Sequence, residues 1–483
     1  ESPVNSAERL ATHAVVFIPW AAALAAAAVL PAPDAVESRT PWEASLPRFE
    51  WAVVAWALIP ILVLAVPVIV RDRTDLRRFQ SAGVSGVAFY LLLRLSVPLK
   101  TTPLPHADGG IISGTLSFIE SWDPFGHAAF ASWRVFWVCC GAAALGLSLA
   151  RWRPVLWVCA CALALSGLAC GLASAVDLAA GFGLFIIAWH SQRLWLAVLR
   201  RLERVANAWV QFDVGPARVL VHAAYAGLAA ATGMLVASVL APPNLLPWLI
   251  ALALAGLLGA GAWGLAMEGS KLSRPFGFFG HVFASSAVVA VCAAFEGDGA
   301  WRLGAAASVA ACAAQAIGRL RCLVQGCCHG RPCEGLAGVH HEDPRSRVAK
   351  FTPWKGRSLY PTAAYSIVAN VAMIPLLIRL FAVGAPASFV VGTYLTLGGL
   401  SRFVEEHFRG EPQTASHAGL RSYQWLAAVT AALGVLAMTF PAPALSAPAA
   451  APAWFAAAIV GVIYAIAMGV EFPRSNRRLS RLS

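Results

Sequence analysis

The sequence predicts an all-α, polytopic helical membrane protein, and three observations carry that prediction. The chain of 483 residues is 59% hydrophobic and only 12% charged. Apolar stretches of about 17 to 25 residues recur along it, each long enough to cross roughly 30 Å of hydrocarbon as a helix. The stretches are continuous rather than alternating, which argues against strands, because a backbone inside lipid must satisfy its own hydrogen bonds.

The first apolar run, near 14–30, is followed by acidic, proline-containing PAPDAVESRT rather than a small-residue cleavage site. It reads as a retained span. Further spans centre near 51–70, 80–98, 133–149, 154–174 and 176–194. They continue near 218–240, 246–267, 278–295, 302–320, 362–382, 386–404, 422–440 and 452–471. The expectation is therefore about fourteen transmembrane helices. The intervals 99–132, 195–217 and 321–361 are too long for turns, and loops of that length usually carry function or structure. The middle one divides the chain into an N-terminal membrane domain, 1–205, and a C-terminal one, 206–483. Within it, RLERVANAWVQFDVGP reads as an amphipathic helix in the membrane interface, with Trp209 and Phe212 as belt residues. PAPALSAPAAAPA at 441–453 is a spacer.

The formal net charge of +12 comes from short basic clusters between spans, such as RDRTDLRR at 71–78 and RSNRRLSRLS at 474–483. Positive loops held on the cytoplasmic side account for it and no nucleic-acid partner is expected. Binding of anionic headgroups by the segment 190–204 is the alternative reading.

Ionisable residues in or beside apolar spans are expensive, so each is a functional candidate. The second half gathers many. MEGSKLSRPFGFFGH supplies Glu268 and Arg274, with His281 just inside the next helix. GRLRCLVQGCCHGRPC at 318–333 holds three arginines, four cysteines and a histidine. SRFVEEHFRGEP places Arg402, Glu406 and Arg409 at spacings of four and three, on one helical face. Such a set suits a cationic pocket for a phosphate, since arginine matches phosphate oxygens bidentately. The cysteines leave three readings open: a zinc site, a disulfide that pins the 327–333 loop, most naturally from Cys333 to Cys327 or Cys328, and a thiolate activated by neighbouring arginines. The cysteines at 139, 140, 159, 161, 170, 292 and 312 lie in apolar spans and read as small core residues.

These stretches carry a resemblance. FDVGPARVLVHAAYAG, RPFGFFGHVFASS, GRLRCLVQGCCHGRP, YPTAAYS and RFVEEHFR resemble, in order, five motifs of the prolipoprotein diacylglyceryl transferase family. The resemblance spans about 210 to 440. It implies transfer of a diacylglyceryl group from phosphatidylglycerol, or another anionic phospholipid, to a lipoprotein thiol or another acceptor. It also implies a multi-pass protein of the bacterial inner membrane that works in the lipid bilayer without a cofactor or metal. The implied substrate-binding residues are Arg274, Arg319, Arg331, Arg402 and Arg409, with Gly280, Gly326, Gly330 and Tyr365. The candidate catalytic residues are His281, His329, Glu406 and Cys327. The alternative is a lipid-binding protein, flippase or scaffold on the same fold. Departures from the family are specific. Cys322 and Gln325 stand at its two signature asparagines, Cys327 at its glutamate, Tyr360 at the histidine of its His-Pro motif, and Gly398 at its late tyrosine, with Tyr394 one turn earlier.

The N-terminal half resembles, more weakly, type 2 phosphatidic acid phosphatases, through Lys100, His127 in DPFGHAAF and Asp177 in SGLACGLASAVDLAAG. The arginine of that family's third motif is Gly167 and its nucleophilic histidine is Ala173, so this half is expected to be a degenerate scaffold. His127 or Lys100 is the expected partner of Asp177.

Overall fold

Each apolar stretch named above folds as a helix. The computed structural model describes residues 4–29, 35–106, 110–122, 130–268, 276–335, 338–410, 415–446 and 451–475. Among these, eight helices are long and apolar enough to cross a membrane, or up to nine if one bent pair is a single span. The chain is thus a multi-pass helical membrane protein, but the count of fourteen spans is not reached. Trp133–Ser148, Ser422–Ala437 and Trp454–Gly469 have 16 residues each. At 1.5 Å per residue that is about 24 Å, short of the hydrocarbon thickness. Arg73–Ser96 and Ala387–Phe408 are long enough but carry clustered charge.

The chain forms two compact units, 1–195 and 196–483. In the first, the core is aromatic. Trp20 stacks on Phe136 with ring centroids 4.9 Å apart and donates its indole N–H to the Gly83 carbonyl at 2.8 Å. Asp177 is fully buried at the start of helix Ala175–Trp189. Its Oδ2 accepts from Thr101 Oγ1 at 2.5 Å and from the Ser174 backbone N–H at 2.7 Å. Ser174 Oγ in turn accepts from the Asp177 N–H, closing a capping box that satisfies two orphan helix donors. The partner of Asp177 is therefore Thr101 with Ser174, not Lys100; His127 lies outside the described residues.

The second unit begins within helix Ser191–Ala206, which ends before the stretch expected to continue it. Residues 211–220 instead form a hairpin, Gln211–Val214 against Ala217–Leu220, and Val470–Glu471 adds a third antiparallel strand. Gly215 at φ +58 makes the turn, which Pro216 after it favours. Trp209 is buried, donating to Gln211 Oε1 at 2.7 Å, and Phe212 is exposed on the hairpin. Small residues set the helix packing that follows. Helices Leu246–Glu268 and Phe278–Glu296 close on Gly259 and Gly280, where a Cβ on Gly280 would meet the Gly259 carbonyl oxygen at 2.2 Å.

Candidate functional site

Helix Gly299–Gln325 stops because Gly326 takes φ +68, the left-handed cap that glycine adopts without steric cost. Its last turns deliver Arg319 to a buried position. The guanidinium donates from Nε to Ser366 Oγ at 2.9 Å, from Nη2 to Glu405 Oε2 at 3.2 Å and from Nη1 to Cys328 Sγ at 3.4 Å. Helix Ala387–Phe408 brings the other charges. Arg402 Nη1 lies 2.9 Å from Glu405 Oε1 and its Nη2 3.2 Å from Glu406 Oε2. Arg409 Nη1 reaches Glu406 Oε2 at 3.4 Å and Glu405 Oε1 at 3.9 Å.

Arg319, Arg402 and Arg409 thus converge on two carboxylates, all but inaccessible to solvent. Arg421 adds a fourth guanidinium, its Nη1 3.8 Å from Glu406 Oε1, so the cations outnumber the two anions, which suits an anionic phosphodiester. The knot is also fragile: removing one partner of a buried pair leaves the other uncompensated, at about 3–5 kcal/mol. Glu405, an ionisable residue of the same SRFVEEHFRGEP stretch, is the second carboxylate of the knot. It stands three after Arg402 and four before Arg409, so the same helical face already contained it.

Beside the knot lies a cavity of about 350 Å³. Its walls are apolar and rich in alanine, from helices Ala224–Leu240, Leu246–Glu268 and Gly299–Gln325. Arg319, Arg321, Gln325, Cys322, Cys327, Cys328, Arg402 and Arg409 make its polar floor. His281 lines it too, with its ring against Gly256. Tyr394 reaches it from one turn before Gly398, and Gln315 Nε2 donates to its hydroxyl at 2.9 Å.

Other residues named from the sequence lie apart from the floor. His329 sits edge-on to Trp354, with Nδ1 3.1 Å from the Gly330 carbonyl. Arg331 is exposed, 3.2 Å from His407 Nε2 and over the rings of Tyr360 and Phe408. Tyr365 packs edge-on to Phe408. Gly330 allows the backbone of Tyr360 close approach, since a Cβ there would meet the Tyr360 carbonyl oxygen at 2.2 Å. Arg274 lies outside the described residues.

All eleven cysteines are free. No bridge pins the loop from Cys333, whose sulfur lies 3.4 Å from Ser358 Oγ. Backbone hydrogen bonds do that work. Arg331 N–H donates to the Phe408 carbonyl, Tyr360 N–H to that of Arg331, and Gly410 N–H to that of His329. Cys322, Cys327 and Cys328 instead cluster together. The thiol of Cys328, just beyond the span, is held well below the usual range. Hydrogen bonds from Cys322 and Cys327 are the first cause; burial opposes them, and the Arg409 and Arg319 guanidiniums add to the lowering.

The C-terminal unit of this helical membrane protein thus sets a buried arginine–carboxylate knot beside an apolar cavity, positive charge next to hydrocarbon-lined space. Comparison with known proteins is more particular. Residues 274–440 match the family model described as prolipoprotein diacylglyceryl transferase. A curated relative, the phosphatidylglycerol–prolipoprotein diacylglyceryl transferase of Clostridium tetani (strain Massachusetts / E88), is 26% identical over 122 residues. That alignment covers 25% of this chain and 46% of the relative, so the chain spans about half the length of the protein it matches.

Proposed function

We propose that the C-terminal unit is a phospholipid-dependent transferase of the bacterial inner membrane. It moves a diacylglyceryl group from phosphatidylglycerol to an acceptor nucleophile, a lipoprotein thiol or another. The observation that carries this reading is the convergence of Arg319, Arg402 and Arg409 at the floor of an apolar cavity. The acyl chains occupy the alanine-rich walls and the phosphate meets the guanidiniums. Attack on the glyceryl carbon forms the new bond and breaks the carbon–oxygen bond, and the electron pair leaves on glycerol phosphate. Preorganised arginines stabilise that developing charge. Among the candidate proton handlers, His281 lines the cavity and Glu406 is held by Arg402, Arg409 and Arg421; Cys327 and Cys328 lie in the floor.

The second reading is a lipid binder, flippase or scaffold that keeps the pocket without turnover. Tyr360 in place of the family's histidine and the full pairing of Arg402 by Glu405 and Glu406 favour it. Incubation of the purified protein with headgroup-labelled phosphatidylglycerol and native membranes separates the two. Release of labelled glycerol phosphate, lost on Arg319→Ala, supports the transferase. Stoichiometric co-purification of the lipid without release supports the binder.

A further inference from the structure

Three sulfur atoms meet in the cavity floor. Cys322 comes from the last turn of Gly299–Gln325, and the left-handed turn at Gly326 folds Cys327 and Cys328 back beside it. Their Sγ atoms all lie within 4.8 Å of one another, with Cys327 and Cys328 4.0 Å apart. A tetrahedral zinc ion with Zn–S of about 2.3 Å holds its sulfurs about 3.8 Å apart, so the triangle closes with shifts of about 1 Å or less. All three thiols are free, and a Cys327–Cys328 bridge would be strained because the two are vicinal. Simple core packing fits them poorly. Cys292 and Cys312 fill that role singly in apolar surroundings, whereas these three share a polar floor with arginines.

We propose that Cys322, Cys327 and Cys328 bind one zinc ion as thiolates, with the fourth coordination position open to the cavity for a thiol ligand. The surroundings complete such a site. Zinc with three thiolates carries one net negative charge, next to a guanidinium set, Arg319, Arg402, Arg409 and Arg421, that outnumbers its two carboxylates. Arg319 Nη1 already donates to Cys328 Sγ, the outer contact that orients a metal ligand. Three protein ligands plus one open position is the arrangement of a reactive zinc rather than a structural one.

Resting on the transferase reading, the fourth ligand is the acceptor thiol. Zinc coordination takes its proton to solvent and delivers it as a thiolate. That sulfur forms the bond to the glyceryl carbon while the carbon–oxygen bond breaks, and glycerol phosphate leaves with the electron pair. Zinc is neither oxidised nor reduced.

The test uses the whole 483-residue chain in detergent and zinc alone as the probe. After loading and desalting, elemental analysis should find one zinc per chain, falling at least tenfold in Cys322→Ser, Cys327→Ser and Cys328→Ser and unchanged in Cys333→Ser. Cobalt in place of zinc should give the visible bands of a tetrahedral thiolate site. A measurement that needs no variant guards against misfolding. Alkylation followed by peptide mass spectrometry should show Cys322, Cys327 and Cys328 protected by zinc and exposed by a chelator, with Cys333 modified either way. Equal alkylation with and without zinc, or zinc retained when the three cysteines are replaced together, overturns the site. Zinc binding without any release of glycerol phosphate upholds the site and overturns only the transferase reading. Release to a thiol acceptor that is unchanged after chelation overturns the assigned fourth ligand.

Discussion

At the scale of single residues, the arginine knot explains why like-for-like substitutions will not be equivalent. Arg319 uses three of its nitrogens at once, on Ser366, Glu405 and Cys328. Lysine keeps the charge but loses the planar fork. Arg319→Ala should lower glycerol phosphate release by about 100-fold or more and Arg319→Lys by less, with lipid co-purification falling in the same order. Glu405→Gln should be as damaging to stability as the alanine variant, because it strips the shared partner of Arg319 and Arg402. Calorimetry or a thermal shift reads that directly. The spacing of Arg402, Glu406 and Arg409 was legible because helical periodicity is rigid. The meeting of that helix with Arg319, from a helix about 80 residues earlier, was not, since tertiary contact has no local signature.

His341 gives a pH dependence of known sign. It is buried in the loop after the signature, its Nδ1 has no hydrogen-bond partner, and burial, with repulsion from His329, lowers its pKa to about 4. A histidine with a depressed folded pKa contributes its full stability above the unfolded value of about 6.5 and loses it as pH falls toward 4. Stability should therefore be flat above pH 6.5 and decline by about 3 kcal/mol in all by pH 4. Thermal unfolding measured across that window should show the decline, and His341→Gln should flatten it. A decline unaltered by His341→Gln would assign the titration to another group.

At the scale of elements, two helices of the cavity wall are joined by an absence of side chains. Gly280 and Gly259 let Phe278–Glu296 and Leu246–Glu268 touch backbone to backbone, which places His281 on the cavity wall. Gly280→Val should destabilise by about 1–3 kcal/mol or more through overpacking. Gly261→Ala, whose new methyl would meet only a ring atom of Phe276 at 3.8 Å, should be neutral or stabilising. Thermal shifts of the two variants in detergent compare them. The hairpin at 211–220 shows where sequence reading failed at this scale. A run with Trp209 and Phe212 looked like the continuation of an amphipathic helix. Yet Val214, Val219 and Val221 around Gly215 and Pro216 are β-branched residues about a turn pair, and that chemistry prevailed.

At the scale of the whole molecule, the two units differ in what their buried charges do. In the C-terminal unit they cluster on a cavity. In the N-terminal unit Asp177 is sealed from solvent, and its hydrogen bonds go to Thr101 and Ser174 within a helix cap. A catalytic carboxylate must reach a reacting group, and this one is occupied in holding a helix start. Ala173, at the position where a phosphatase would need its nucleophilic histidine, cannot form a phosphoenzyme. The purified protein should therefore release no inorganic phosphate from phosphatidate. Asp177→Ala should cost about 1–3 kcal/mol of stability by leaving the Ser174 N–H without its acceptor, while Thr101 keeps its hydrogen bond to Ser38. It should leave any glycerol phosphate release by the other unit within about twofold, a change too small to reflect lost chemistry. Phosphate release from phosphatidate that vanishes on Asp177→Asn or His127→Ala would make the N-terminal unit an enzyme in its own right, and its resemblance to phosphatases functional rather than vestigial.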